Sequence, residues 1–458
     1  MKKLKDNKMG TMPIPRLMLT MSLPAILSMM VQAMYNVVDS IFVSKIGEEA
    51  LTAVSLAFPI QLIIIACFLG IGTGVNSLIS RKIGENDLES ATNAAEHGFM
   101  LSGILYLAIV TIGIFLANNF FNMFTEDAII LSYGADYIRI IMFFSFGRMF
   151  AQAGMSTLQG TGEMVKPMIA QLIGAIGNII LDPILIFGWL GFPAMGVRGA
   201  AIATVAAQII SMIYIMVVLF KKDNYIKINL KRFKYSNSIT KQIMIVGLPV
   251  AIMQGLGSIM LTGLNLVLAS FNETAVAVMG VYFKLQSFVF MPVFGLSQGT
   301  MPIIGYNFGA RNKERLMSAL KIGIVTAVIL TTMGLVVFQL FPVQLLSLFN
   351  STYEMTEIGV VAFRIISLCF PLAAISIMLS VSFQGMGDAY ISLIVSFIRQ
   401  IIVLLPAAYI LGRVAGLNAV WYGFLISEVV ALLGVLYFFR KAYRTKLSVW
   451  EKTAQQVV

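Results

Sequence analysis

Charge is what this 458-residue chain has least of. Only 12% of its residues are Asp, Glu, Lys or Arg, while 59% are hydrophobic. About a quarter of a soluble protein is charged, so this surface cannot be meant for water alone. One histidine and two cysteines exclude further classes. His97, Cys67 and Cys369 are too few for a zinc cluster or a disulfide framework. Both thiols lie in apolar stretches and read as packing groups. No phosphate loop is present, because Gly70, Gly72 and Gly74 sit inside an apolar run without a following Lys-Ser/Thr. Close helix packing is their expected role. No nucleophile or metal constellation points to an enzyme, and no cofactor is expected.

Apolar runs are what the chain has instead. About 20 residues cross the hydrocarbon core as a helix. Runs of that length fall at 17–44, 51–78, 93–117, 129–152, 165–188, 196–220, 242–270, 275–302, 317–340, 356–379, 389–412 and 416–439. Prolines inside them (Pro24, Pro59, Pro183, Pro249, Pro292, Pro371 and Pro406) predict kinks. The net charge of +11 is spread in short runs between the spans, so nucleic acid is not an expected partner and the lipid bilayer is. Lys2, Lys3, Lys5, Lys8 and Arg16 precede the first span. Arg81, Lys82, the linker bases Lys221, Lys222, Lys227, Lys231, Arg232, Lys234 and Lys241, then Arg311, Lys313, Arg315 and the tail bases Arg440, Lys441, Arg444, Lys446 and Lys452 fall on the same side. The opposite loops hold little beyond Lys45, Arg198 and Arg413. The excess of positives places both termini in the cytoplasm.

The sequence also repeats. At a constant shift of about 225 residues, Leu23-Pro24 meets Leu248-Pro249, Gly70 meets Gly295, Gly74 meets Gly299 and Arg139 meets Arg364. Gln159-Gly160-Thr161-Gly162-Glu163 meets Gln384-Gly385-Met386-Gly387-Asp388; tight turns or gate hinges both suit these twins. Further on, after a loss of about five residues, Gln208 meets Glu428. An even number of spans per half inserts both halves the same way up. The expected fold is all-α: a polytopic membrane protein with twelve transmembrane helices in two parallel six-helix lobes. The lobes are expected at 1–220 and 242–458, tail included, with a basic cytoplasmic linker at 221–241. Two lobes around a cleft suit alternating access, although a duplicated bundle also serves channels and scaffolds.

Ionisable groups within spans are costly, at roughly 2.5–3.5 kcal/mol on insertion scales, and mark functional candidates. Asp39 shares a helical face with Ser28, Gln32 and Tyr35. Asn178 lies one turn before Asp182. Two carboxylates and an amide can hold a proton or a sodium ion. Their twins are Leu264, Val403 and Ala407, so the acidic set occurs once. The second half carries Lys284, Arg399 and Glu428, either as a buried ion-pair network or as anion- or proton-handling groups. Gln254 belongs to a neutral polar stripe with Ser258, Thr262 and Asn265, suited to a cleft wall or to packing. Met30, Met34, Phe283, Phe288 and Met291 suit a pliable apolar pocket. Without an ATP-binding motif, energy must come from an ion gradient or a partner.

The paired Leu-Pro dipeptides, Asp39, Asn178 to Asp182-Pro183 and Gly199-Ala200-Ala201-Ile202-Ala203-Thr204 resemble the multidrug and toxic compound extrusion (MATE) transporters. So do the run from Gln286 to Gln298, Pro302 and Gly305-Tyr306-Asn307-Phe308-Gly309-Ala310. The resemblance spans nearly the whole chain and is nearest the prokaryotic DinF-like and MepA-like branch. It implies a monomer in the plasma membrane that exports lipophilic organic cations in exchange for protons or sodium. It implies a cation site at Asp39, Asn178, Asp182 and Thr204, sodium being possible at the first three. Tyr35 and Tyr137 would lie nearby, and Pro24 would be the bending point of the first span. Gln32, Tyr35, Tyr137, Gln254, Lys284 and Gln286 are the candidates for the substrate cleft. Gln254, in place of an acid on span seven, and a tenth span without a central carboxylate depart from members that use acids there. A lipid-linked oligosaccharide flippase of similar architecture is the alternative.

Overall fold

The computed structural model describes residues 7–221, 224–229, 233–349 and 351–450. Lys2, Lys3, Lys5, Lys222, Lys231, Arg232 and Lys452 lie outside the described residues. The described chain is helical throughout. A short α1 (Lys8–Thr11) precedes α2 (Ile14–Ser44), α3 (Glu48–Gly84), α4 (Leu88–Asn122), α5 (Ala128–Phe143), α6 (Phe146–Gly160), α7 (Val165–Phe187) and α8 (Gly196–Leu219). The second half begins with α9 (Asn237–Ala269), α10 (Glu273–Gly309), α11 (Lys313–Leu340) and the short α12 (Pro342–Ser347). It continues with α13 (Tyr353–Ser367), α14 (Phe370–Met386), α15 (Ala389–Phe397), α16 (Leu405–Ala415), α17 (Leu417–Val420) and α18 (Tyr422–Ala442). Seven π-helical residues, Ile398–Leu404, join α15 to α16.

Ten helices among the described residues are long and apolar enough to cross a membrane, and two bent pairs raise the number to twelve. The protein is therefore an all-α, polytopic membrane protein. Several helices outrun the apolar windows. The helix α3 continues to Gly84 and α10 to Gly309, because a helix keeps its own backbone bonds after its side chains become polar.

The breaks follow the prolines only at Pro371. Helices α2, α3, α7 and α9 stay continuous across Pro24, Pro59, Pro183 and Pro249. The bends above 40° lie between α5 and α6 (43°) and between α13 and α14 (47°). At the first, Ser145 N–H donates to Met142 O and Gly147 N–H to Phe144 O. At the second, Leu368 N–H donates to Ile365 O and Cys369 N–H to Ile366 O. Tightened i to i−3 bonds of this kind turn the chain while satisfying its backbone. Pro371 stands just past the second bend; the first has no proline.

The chain forms two compact units. One holds the residues up to Ile26 and those from Ile252 on, the other Leu27–Ala251. Each boundary falls inside a long helix, two residues past Pro24 in α2 and two past Pro249 in α9. The repeated glycines explain the assignment. In the Leu27–Ala251 unit, a Cβ on Gly70 would stand 2.5 Å from Gly247 O, and one on Gly74 would strike Ile243 O. In the other unit, a Cβ on Gly295 would stand 2.5 Å from Ile26 Cα, and one on Gly299 2.6 Å from Ser22 Oγ. These glycines let α3 meet the start of α9, and α10 meet the start of α2, at backbone contact.

Two other sequence features are local. Gly162 and Gly387 both have φ of 91°, so the twin Gln-Gly-x-Gly segments make left-handed turns that favour glycine. His97, buried at the start of α4, accepts from Ser236 N–H at Nε2 and pairs through Nδ1 with Asn93 O. Glu96 accepts from Asn229 N–H. The single histidine thus fastens the described part of the linker.

Candidate functional site

Inside the Leu27–Ala251 unit, four helices bring one polar cluster together. The helix α2 supplies Tyr35 and Asp39, α5 supplies Tyr137, α7 supplies Asn178 and Asp182, and α8 supplies Thr204. One-turn spacing puts Asn178 and Asp182 on the same face of α7, against which α8 packs closely. Small residues make that approach possible: Gly199 of α8 has no room for a Cβ beside the backbone at Leu185.

Asp182 is 0% exposed and Asn178 2%. With the Asn178 amide oriented to satisfy both ends, its nitrogen donates to Asp182 Oδ2 at 2.7 Å. Its oxygen then accepts from Thr204 N–H and Oγ1, each at 3.1 Å. The Asp39 and Asp182 carboxyls lie within hydrogen-bonding reach of one another, and the Tyr35 hydroxyl lies near Thr204. Two carboxylates in contact require a proton or a cation between them. The carboxylate and hydroxyl oxygens of the cluster are hard donors, suited to a sodium ion as well as to a proton.

Sequence reasoning missed two members. Gln61 on α3 donates to Tyr137 Oη at 3.3 Å. Arg148 on α6 lies over the Phe68 ring at 5.0 Å and within electrostatic reach of Tyr35. The cost of an arginine inside a span would have flagged Arg148. Gln61 had only its match to Gln286 to mark it.

The remaining candidates are placed elsewhere. Gln32 lies on α2, one turn before Tyr35. Gln254 is exposed on α9, and Lys284 and Gln286 lie on α10, all three in the other unit. Lys284 is exposed, its ammonium 5.8 Å from the Phe349 ring centre. Arg399, in the π-helical turn, pairs with Glu428 of α18 at 2.9 Å. The ion pair expected around Glu428 therefore forms with Arg399 and not with Lys284. Among the described residues, no group of three His, Cys, Asp or Glu side chains forms a metal site.

The sequence matches the MatE family over residues 24–184 and again over 249–410. This chain belongs to the MatE family. The duplicate match falls on the two halves that the internal repeat relates. The MatE chain is 28% identical to the probable multidrug resistance protein NorM of Thermotoga maritima, over 95% of its own length and 93% of that protein's. It is 25% identical to the FAD transporter of Shewanella oneidensis, covering 93% and 94% of the two chains. A solved outward-facing multidrug resistance MATE transporter superposes with a TM-score of 0.91 at 31% identity, over 98% of this chain and 100% of that one. The MatE chain is thus a multi-pass membrane transporter of small molecules and not an enzyme.

Proposed function

We propose that this transporter is a cation-coupled antiporter that exports lipophilic organic cations across the plasma membrane by alternating access. The adjoining pair Asp39 and Asp182 carries the proposal. A proton or sodium ion neutralises the pair, and an organic cation competes for the same negative charge. Asn178, Thr204 and Tyr35 position the carboxyls, and Tyr137 and Gln61 extend the polar wall. Ion and drug need only differ in affinity for the inward- and outward-open states to be coupled. In this reading both termini are cytoplasmic, α2 bends near Pro24, and Gln32, Gln254, Lys284 and Gln286 face the substrate path.

A relative named as a FAD transporter raises a second reading, export of an anionic substrate. Arg399 is the natural counter-charge for one, but Glu428 already neutralises it. The acidic cluster in the first half favours cations. Dye efflux from proteoliposomes under separately imposed proton and sodium gradients tests the proposal. Efflux driven by one gradient and abolished by Asp39→Asn supports it. Gradient-independent efflux, or wild-type coupling in the variant, rejects it.

A further inference from the structure

The helices α4 and α5 leave a groove that the transport reading does not use. They run antiparallel, so the end of α4 and the start of α5 lie at one level. At that level a cavity of about 300 Å³ is lined by Asn122, Leu131, Ser132, Ala135, Asp136 and Arg139. Further along the pair, a second cavity of about 460 Å³ is lined by Val110, Gly113, Arg139, Ile140, Met142, Phe143 and Phe144. Arg139 is common to both. Polar side chains thus gather toward the loop end of the groove and apolar ones deeper in the span, with one arginine at the junction.

The charge there is not cancelled. Asp136, one turn from Arg139, is taken by Arg198 at 2.6 Å. Among the described residues no carboxylate pairs with Arg139, which is exposed. It stands eleven residues into α5, about 16 Å along the axis from Ala128 at 1.5 Å per residue. The bent span Ala128–Gly160 is longer than the roughly 20 residues that cross a core about 30 Å thick, so Arg139 stands below the headgroups but above the midplane. An arginine there must reach up its groove to a headgroup or to water.

The second half supplies a comparison. Arg364, the twin of Arg139, is also exposed near the end of its helix. Its surroundings differ: the twin of Asp136 is Val361, and the twin of Gly113 is Phe338, buried at 2% exposure. The Phe338 ring packs on Phe363 and Phe370, whereas beside Gly113 the Met142 side chain lies 3.0 Å from where a Cβ would stand. A bare arginine recurs, but its neighbours Asp136 and Gly113 do not.

We infer that the α4–α5 groove is a binding site for one glycerophospholipid, with its phosphate on Arg139 and an acyl chain along Val110, Gly113 and Ile140 to Phe144. A guanidinium suits a phosphodiester through paired N–H donors. The polar rim accepts the headgroup, and the apolar floor accepts the chain. The outer leaflet follows from the lysine and arginine topology; the site itself does not depend on it.

Native mass spectrometry of the purified protein in a phosphate-free maltoside detergent, titrated with dioleoylphosphatidylglycerol, tests the site. Arg139→Gln should weaken the first lipid adduct by on the order of tenfold, while Arg364→Gln leaves it unchanged. Val110→Trp, which fills the apolar part of the groove, should also remove the adduct. Millimolar inorganic phosphate should not displace the lipid. Equal lipid binding by wild type and Arg139→Gln overturns the inference. So does equal loss in Arg364→Gln, and full displacement by phosphate would make this a site for the free anion.

Discussion

The fifth and sixth spans of the two halves descend from one pattern but carry opposite chemistry. In the first half, α7 and α8 hold Asn178, Asp182 and Thr204, joined by Asp39 and Tyr35. In the second, Arg399 and Glu428 occupy the places of Gly174 and Gln208, one turn away from the twins of Asn178 and Thr204. The first cluster has two carboxyls and, among the described residues, no basic partner bonded to them, so in the proposed reading an arriving cation completes it. The second is an ion pair that completes itself. A self-neutralised pair gives up little to a passing ion, since separating it leaves charges unpaired. The scaffold was duplicated, and the proposed exchange belongs to one copy.

That contrast is open to attack, and the largest effect is expected in the first half. Asp39→Asn and Asp182→Asn each remove a charged partner whose hydrogen bonds are worth roughly 1.5–3 kcal/mol. Gradient-driven dye efflux should fall by about tenfold or more, with folding intact by thermal melting. Equal coupling in either variant would erase the difference between the halves. Next, Glu428→Gln should lower stability and leave the identity of the coupling ion unchanged. The loss should stay below the roughly 3–5 kcal/mol of a fully buried broken pair, because the Arg399 side chain is 32% exposed. The double variant Arg399→Leu/Glu428→Leu should recover most of the melting temperature. Failure to recover it would mean that the pair does more than neutralise itself.

The shared scaffold predicts equality instead. Gly74→Ala and Gly299→Ala, in corresponding places, should each cost roughly 1–3 kcal/mol by overpacking. Gly280→Ala, with nothing within 4 Å of an added Cβ, should be neutral or slightly stabilising. Unequal losses at the twin glycines would show that the two backbone contacts are not equivalent. A small loss is expected at Lys284→Gln, which gives up an exposed cation–π contact worth about 0.5–1 kcal/mol. An unchanged range of transported substrates in that variant would remove Lys284 from the substrate path.

How legible the site was depended on the residue. Asp39, Asn178 and Asp182 were readable because charge and amide groups are rare inside spans and because their twins are Leu264, Val403 and Ala407. Thr204 and Tyr137 needed the family resemblance, since a hydroxyl in a span is too common to single out. Arg148 carried the right signal and was passed over among more numerous acids. The bend between α5 and α6 had no signal of the proline kind, because i to i−3 bonds at Phe144–Gly147 make it.

The sequence by itself determined the membrane class, the spans and the duplication. These depend on hydropathy and on residue identity at a fixed shift, which are properties of the chain read in order. Only the tertiary structure decided which charges meet. It set Asp39 against Asp182 and Arg399 against Glu428, and left Arg139 bare where Asp136 turns to Arg198. Pairing over such sequence separations is fixed by helix packing, where the absence of one Cβ at Gly70 or Gly295 sets how near two backbones come.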